Sequence, residues 1–468
     1  MEYQLRISGI HHAQLKNHLL PGDGNEAIAI ALCGRFTDDG SEYLLVHDLL
    51  LIPHNECNRK PDLIQWPTER VTPLLERAMK KNLGLLKIHS HPGGYSQFSH
   101  IDDISDKEFF TSVFGWIDGD MPHASAVMLP SGEIFGRVFF PDLSHLMIDK
   151  ISVAGDSIKS WGFKSQAVIS KIGERTAQLF GEGTYSVLRG LKIGIVGCSG
   201  TGSVVIEQLN RLGIGHLVTI DPDEIELKNL NRILNAFEND ANVKRKKVDL
   251  CKETADKIGY NTKVDTFPVN LYDSIKAIRA LIKCDILIGC MDSTEGRDLL
   301  NKISTYYLLP YLDMGIAIES DGKGGINKIE GSVHYIQPGL SSLLTRNVYS
   351  MDDVRAESVY RKNPNEYERL VAAERKNGHK YIKDVNVNRP AVITINMQIA
   401  SIAVNELLNR IHPFKISKIE DTAKISVDVT DNWMLSEPES DFKIDAFLLK
   451  KMGRGDTSPL LESFEITN

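Results

Sequence analysis

Lys192-Ile193-Gly194-Ile195-Val196-Gly197-Cys198-Ser199-Gly200-Thr201-Gly202-Ser203 is the run that decides the fold of the larger part of this chain. An apolar strand passes into a glycine-rich turn, a helical pattern runs from Ser203 to Leu212, and a second strand follows at His216 to Ile220. Strand, turn, helix and strand in that order make a βαβ unit, and the same grammar extends over residues 165–430. The expected fold there is a Rossmann-like, doubly wound parallel sheet of class α/β. Gly197, Gly200 and Gly202 leave the backbone open to an anion, and the helix N-terminus offers N–H groups to it. Ser199 stands where a dinucleotide loop carries its middle glycine, so the loop alone does not choose a ligand.

The downstream residues choose better. Asp221 ends the next strand, where an acidic side chain can bond a ribose. Asn229-Leu230-Asn231-Arg232 and Val243-Lys244-Arg245-Lys246-Lys247-Val248 follow, and the buried strand Ile286 to Gly289 ends in Cys290-Met291-Asp292-Ser293. Taken singly, Asn229 and Asp292 read equally well as caps, and Lys244 to Lys247 as a solvated face. In this order they supply cations and an amide for a triphosphate and a carboxylate for Mg²⁺, as attack at an α-phosphate requires. ATP is therefore expected rather than NAD.

This order resembles the adenylating domain of ubiquitin-activating enzymes and their bacterial relatives ThiF and MoeB, over about 165–430 and including Arg175-Thr176-Ala177-Gln178-Leu179-Phe180-Gly181. The resemblance implies that Asp221 binds ribose, Asn229, Arg232 and Lys247 the phosphates, and Asp292 the Mg²⁺. Arg232 and Asp292 are the expected catalytic groups. Arg175 matches the family's arginine that reaches the ATP site of the other subunit, which implies a homodimer through this domain. Residues 291–468 contain no cysteine, although thioester-forming members place one in the crossover region and many bacterial members bind structural zinc there. Pro338-Gly339-Leu340-Ser341-Ser342 stands where the first zinc pair is expected, so neither a structural zinc nor a thioester is expected on this chain.

Working back to the N-terminus, residues 1–148 alternate short β-rich runs with a few helical patterns, which reads as an α+β domain. His89-Ser90-His91-Pro92, six residues, then Ser99-His100-Ile101-Asp102 is its chemical centre. Imidazoles two apart at the end of a strand face the same side, so both can bind one ion, with Asp102 supplying an oxygen. Two His and one carboxylate leave a tetrahedral position for water, as a catalytic zinc requires. Glu26, opening the strand Ala27 to Cys33, is the candidate general base. As structural residues the alternative is two satisfied strand histidines and a helix cap.

Glu26, His89, His91, Ser99 and Asp102 together resemble the JAMM motif of JAB/MPN metalloproteases, which cleave isopeptide or peptide bonds at the C-terminus of ubiquitin-like modifiers. The resemblance implies that His89, His91 and Asp102 ligate zinc, Glu26 is the base and Ser99 stabilises the oxyanion.

The chain has 468 residues, 42% hydrophobic and 25% charged, a balance that excludes disorder and coiled coil. Its net charge of −8 argues against nucleic acid as a partner. No apolar run reaches a membrane span, no export signal opens the chain, and six cysteines without a CxxC pair read as reduced thiols, so a cytoplasmic location is expected. The expected organisation is a JAB/MPN-like domain over 1–148, a linker over 149–164, the adenylating domain over 165–430, opened by a helix from about Ser165 to Phe180 and with a crossover segment at 337–388 before an apolar helix over Ala391 to Asn409, and a peripheral tail over 431–468. The whole reads as a bifunctional bacterial enzyme that processes or removes a ubiquitin-like modifier with zinc. With ATP and Mg²⁺ it would then activate the modifier's C-terminal carboxylate for a conjugating partner's thiol or amine. The rivals are a peptide-modifying adenylyltransferase with an associated metallopeptidase, and a non-catalytic scaffold.

Overall fold

The computed structural model describes residues 1–162, 168–321, 323–377 and 391–466. Parts of the expected linker (163–164), helix (165–167) and crossover segment (378–388) lie outside the described residues. Two units emerge: Met1–Lys164 with Thr305–Leu308 and Lys450–Glu462, and Ser165–Ser304 with Leu309–Leu449 and Ser463–Asn468.

The first unit runs β1 (Glu2–Ser8), α1 (Gly9–Leu19), β2 (Ile28–Asp38), β3 (Ser41–Leu51), β4 (Asn58–Lys60), β5 (Leu63–Gln65), α2 (Thr72–Lys81), β6 (Gly84–Ser90), α3 (His100–Trp116), β7 (His123–Met128), β8 (Ile134–Phe139), β9 (His145–Met147), β10 (Lys150–Ala154) and β11 (Ile158–Trp161). Its nine-stranded sheet has the order β11-β10-β1-β3-β2-β6-β7-β8-β9, and β4 and β5 form a separate hairpin. The apolar run of β2 shows how both faces are covered. Ala29, Ala31 and Cys33 join the core that holds Leu15 and Leu19 of α1. Ile30 and Leu32 join the opposite core, with Leu75 of α2 and Phe109, Phe110 and Val113 of α3. Period-two alternation with apolar residues on both sides is what a strand buried on two faces requires.

The second unit runs α4 (Glu174–Gly190), β12 (Lys192–Val196), α5 (Gly200–Leu212), β13 (His216–Ile220), α6 (Glu238–Asn242), α7 (Lys247–Ile258), β14 (Lys263–Phe267), α8 (Ile275–Ile282), β15 (Ile286–Gly289), α9 (Thr294–Tyr307), β16 (Tyr311–Ser320), β17 (Ile326–Ile336), α10 (Met351–Lys362), α11 (Pro364–Asn377), α12 (Ile393–Ile411), β18 (Lys424–Asp428), β19 (Trp433–Glu437) and α13 (Ala446–Leu449). The sheet order is β14-β13-β12-β15-β16-β17-β18-β19, parallel from β14 to β16 and antiparallel beyond. Strand order reverses between β12 and β15, and the loops leaving their carboxyl ends therefore diverge around a crevice.

Three expectations are corrected. Within the expected linker, residues 150–161 carry two strands instead: β10 pairs in parallel with β1, and Ile151 and Val153 enter the core at period two, a pattern masked in sequence by the polar residues between them. The tail is not peripheral: β19 extends the second sheet, while Met452 and Leu461 are buried and Gly455 bridges Arg35 of β2 within the first unit. The helix expected over Ser165 to Phe180 begins at Glu174 and runs to Gly190, broken at Gly181, whose φ of +82° only glycine adopts easily. Among the described residues no helix is long and apolar enough to cross a membrane.

Candidate functional site

In the first unit His89 lies on β6 and His91 just beyond its end, where the backbone N–H of His91 donates to the Met128 carbonyl. Ser99 caps α3 in a reciprocal box: Asp102 N–H donates to Ser99 Oγ at 3.1 Å and Ser99 N–H to Asp102 Oδ2 at 2.6 Å. The box turns the Asp102 carboxylate back toward the strand. His89 Nε2 is 3.0 Å from Asp102 Oδ1, His91 Nε2 is 3.4 Å from Asp102 Oδ2, and the two Nε2 atoms are 3.1 Å apart. Donors bound to one tetrahedral zinc stand about 3.3 Å from each other, given bonds of about 2.0–2.1 Å. The three side chains therefore fit such an ion. His91 Nδ1 lies 2.7 Å from the Tyr95 carbonyl, which accepts its proton and leaves the Nε2 lone pair facing inward.

Glu26 sits just before β2, buried, with Oε1 4.0 Å from His91 Nε2, and its carboxylate lies within 4.8 Å of the ligand atoms of both His89 and His91, close enough to share an ion with them. Burial, reinforced by Asp102, pushes its carboxyl up to about 7, against the pull of His91. A carboxyl that titrates near neutrality can both take and return a proton. Arg59 of the β4–β5 hairpin donates from Nε to the Glu26 carbonyl at 2.7 Å and from Nη2 to the Asn25 carbonyl at 3.1 Å, so the hairpin holds this loop. Burial pulls the His89 imidazole down against the Asp102 hydrogen bond, whereas the bonds to Asp102 and Tyr95 outweigh burial at His91 and raise it. Despite burial, the two imidazoles hold the Asp102 carboxyl far below its ordinary range.

The second unit carries a cleft of ≈ 540 Å³ at the β12/β15 switch point. Gly197, Gly200, Asp221, Asn229, Arg232, Lys247 and Asp292 all line it, from segments up to 95 residues apart in the chain. Gly197 has φ +95° and a Cβ there would stand 2.6 Å from the Cys290 carbonyl, so the two diverging loops meet only across a glycine. Gly202, in the first turn of α5, lines no part of the cleft; a Cβ there would overlap the Gly197 carbonyl, so this glycine permits the turn. The buried Asp221 accepts from Cys198 N–H at 2.7 Å and Asp223 N–H at 2.9 Å. Burial pushes its carboxyl up against the opposing charge of Lys247. Lys247 begins α7 and is buried, with Nζ 2.7 Å from Asp223 Oδ2 and 3.7 Å from Asp221 Oδ1. Asn229 Oδ1 accepts from Glu226 N–H at 3.1 Å, and Arg232 Nη1 donates to the Lys228 carbonyl at 2.9 Å.

Arg175 stands apart from these groups: it is exposed on α4, donates to Gln178 at 3.0 Å and does not line the cleft. Sequence reasoning missed Asp223, Arg297 and Asn396, which do line it. Arg297 is pinned by Asp313 Oδ1 at 3.1 Å. Asn396 was visible only as one amide on the apolar helix read over Ala391 to Asn409, at a position in step with Ile399, Ala400 and Ala403, all buried.

Residues 173–439 match the model of the ThiF family. Among curated relatives, ubiquitin-like modifier-activating enzyme 5 of Caenorhabditis briggsae is 26% identical over 165 residues, 33% of this chain and 36% of that protein. The Dictyostelium discoideum enzyme of the same name is 28% identical over 169 residues, 34% and 42% respectively. The chain thus spans well under half the length of these relatives. The crystal structure of Escherichia coli MccB with ATP aligns at a TM-score of 0.44 with 16% identity, covering 59% of this chain and 73% of that one.

Proposed function

The chain belongs to the ThiF family, and from that premise we propose that its second unit binds Mg²⁺–ATP and adenylates the C-terminal carboxylate of a ubiquitin-like modifier. The observation that carries this is the convergence of Asp221, Asn229, Arg232, Lys247 and Asp292 on one switch-point cleft beside the α5 N-terminus. A carboxylate oxygen of the modifier attacks the α-phosphorus, the bond to the β-phosphate oxygen breaks, and pyrophosphate leaves with its electron pair. The products are an acyl adenylate and pyrophosphate. Arg232 and Lys247 stabilise the charge that gathers on the phosphates, Asp221 orients the ribose, and Asp292 would hold the magnesium. When bound, that ion neutralises phosphate charge and favours departure of pyrophosphate. A second copy of the chain would supply Arg175.

The first unit we read as a JAB/MPN-type zinc peptidase for the same modifier or its conjugates. His89, His91 and Asp102 would hold the zinc, which supplies Lewis acidity toward the scissile carbonyl. Glu26 Oε1 takes the proton of the attacking water and returns it to the leaving amine. Ser99 Oγ, whose lone pair caps α3, keeps its proton for the oxyanion.

The absence of cysteine from residues 291–468 favours one second reading, in which the adenylated carboxylate belongs to a short peptide and an amine takes it directly. ATP–pyrophosphate exchange separates the two. Exchange stimulated by a β-grasp modifier and abolished by Asp292→Ala supports the first; stimulation only by a peptide supports the second. No exchange with either overturns both.

A further inference from the structure

Resting on the reading of the cleft as an ATP site, we propose that the side-chain amide of Asn396 is a further ligand of the nucleotide's polyphosphate. Asn396 lies in the first turn of α12, on the face that carries Ile399, Ala400 and Ala403 into the core. It is only 5% exposed, and its Nδ2 has no hydrogen-bond partner among the described residues. A buried amide donor left without an acceptor is disfavoured and persists where a ligand provides one.

Its surroundings say which ligand. Asn396 lines the cleft beside Gly200, and a Cβ on Gly200 would overlap the Asn396 amide nitrogen. Gly200 is the first residue of α5, whose opening N–H groups have no partners within the helix and carry its positive dipole end. The Arg232 side chain lies on the same side, within 3.3 Å of the position a Gly200 Cβ would take. A neutral donor, a helix N-terminus and a guanidinium gathered at one wall of the cleft recognise a phosphate oxygen rather than a sugar or a base. The register of α12 is tied to the same ligand segment, because Asn231 Nδ2 donates to the Ala391 carbonyl at 3.0 Å. Thus the amide arrives from a helix more than 160 residues beyond Arg232, held against the loop by an absent side chain at Gly200.

The test is calorimetric titration of the full chain with ATP in the presence of Mg²⁺, and with adenosine, for the wild type, Asn396→Ala and Asn396→Asp. Asn396→Ala should weaken ATP by about tenfold, the worth of one hydrogen bond to a charged group, and leave adenosine within about twofold. Asn396→Asp keeps the shape, replaces the donor by an acceptor, and should weaken ATP further with adenosine again unchanged. Either folded variant binding ATP as the wild type does overturns the proposal while the ATP site stands. Equal loss of ATP and adenosine also overturns it, because the amide would then serve packing or the nucleoside. A wild type that binds no ATP removes the underlying reading, and the proposal with it.

Discussion

The Lys87 ammonium meets the Asp106 carboxylate at 2.7 Å, one rung below the contact of His89 with Asp102 at 3.0 Å. Lys87 and His89 are two apart on β6 and share a face; Asp102 and Asp106 are four apart on α3 and share a face. Strand and helix therefore meet in two parallel rungs. The lower rung is fully buried, and Asp106 also accepts from Arg137 Nη2 at 2.8 Å. Burial alone would raise the Asp106 carboxyl, but Lys87, Ser125 and Arg137 hold it below its ordinary value.

Removing one member of that lower rung should loosen the upper one. Asp106→Asn leaves two buried cations short of an anion and should cost about 3–5 kcal/mol of stability. Zinc affinity should fall by about 10–100-fold, as for outer-shell losses generally. Urea unfolding and a competitive zinc titration measure the two effects, and unchanged values would show the rungs to be independent.

The ligand and base roles proposed for the first unit separate by metal content. His89→Ala and Asp102→Ala should lose zinc by elemental analysis. Glu26→Gln should keep zinc at full stoichiometry and lose about 10²–10⁴-fold in hydrolysis, because Glu26 stands farther from His91 than Asp102 does, at 4.0 Å against 3.4 Å, and is proposed as the base. Zinc retained by both ligand variants would remove the assignment.

Stability should fall in mild acid through His123. Its ring is buried, its Nδ1 accepts the Leu85 N–H at 3.0 Å, and burial lowers its pKa to about 3. Protonation would destroy that bond. Because the folded value lies below the unfolded one of about 6.5, the contribution is complete above pH 6.5 and is lost as pH falls toward 3. The loss amounts to about 2 kcal/mol by pH 5. Urea midpoints of wild type and His123→Leu at pH 7.5 and 5 should converge, and parallel pH slopes would exclude this origin.

Burial works against a thiolate at either cysteine nearest the glycine-rich turn. The Cys198 thiol is buried and held up by its hydrogen bond with Cys251 and by burial, and burial pushes Cys290 up as well. Attack requires the thiolate. Enzyme, modifier and ATP should give AMP–modifier with no reductant-sensitive band on the enzyme. A band that disappears on mutating Cys198 or Cys290 would contradict this.

Much of the geometry of each candidate site was legible because its logic is local. The parity of His89 and His91 follows from one strand's period, and the Ser99–Asp102 box from the first turn of one helix. Gly197 and Gly200 announce a strand-to-helix turn that needs no distant residue to form. The strands at 150–161 and the packed segment at 450–462 were not legible, since each is stabilised by partners far away in the chain, Lys150 opposite Gln4 and Gly455 opposite Arg35.

Sequence by itself determined the βαβ order, the glycine turn and the residue types of the two constellations, all consequences of spacing along one or two elements. Tertiary structure alone decided what those elements enclose. Glu26 comes within 4.0 Å of His91 because β2 pairs with β6. Asp221, Lys247 and Asp292 share a cleft because strand order reverses between β12 and β15. Asn396, one amide on an apolar helix, reaches the cleft only because α12 is laid against the α5 N-terminus, and no local period encodes a contact between helices nearly two hundred residues apart.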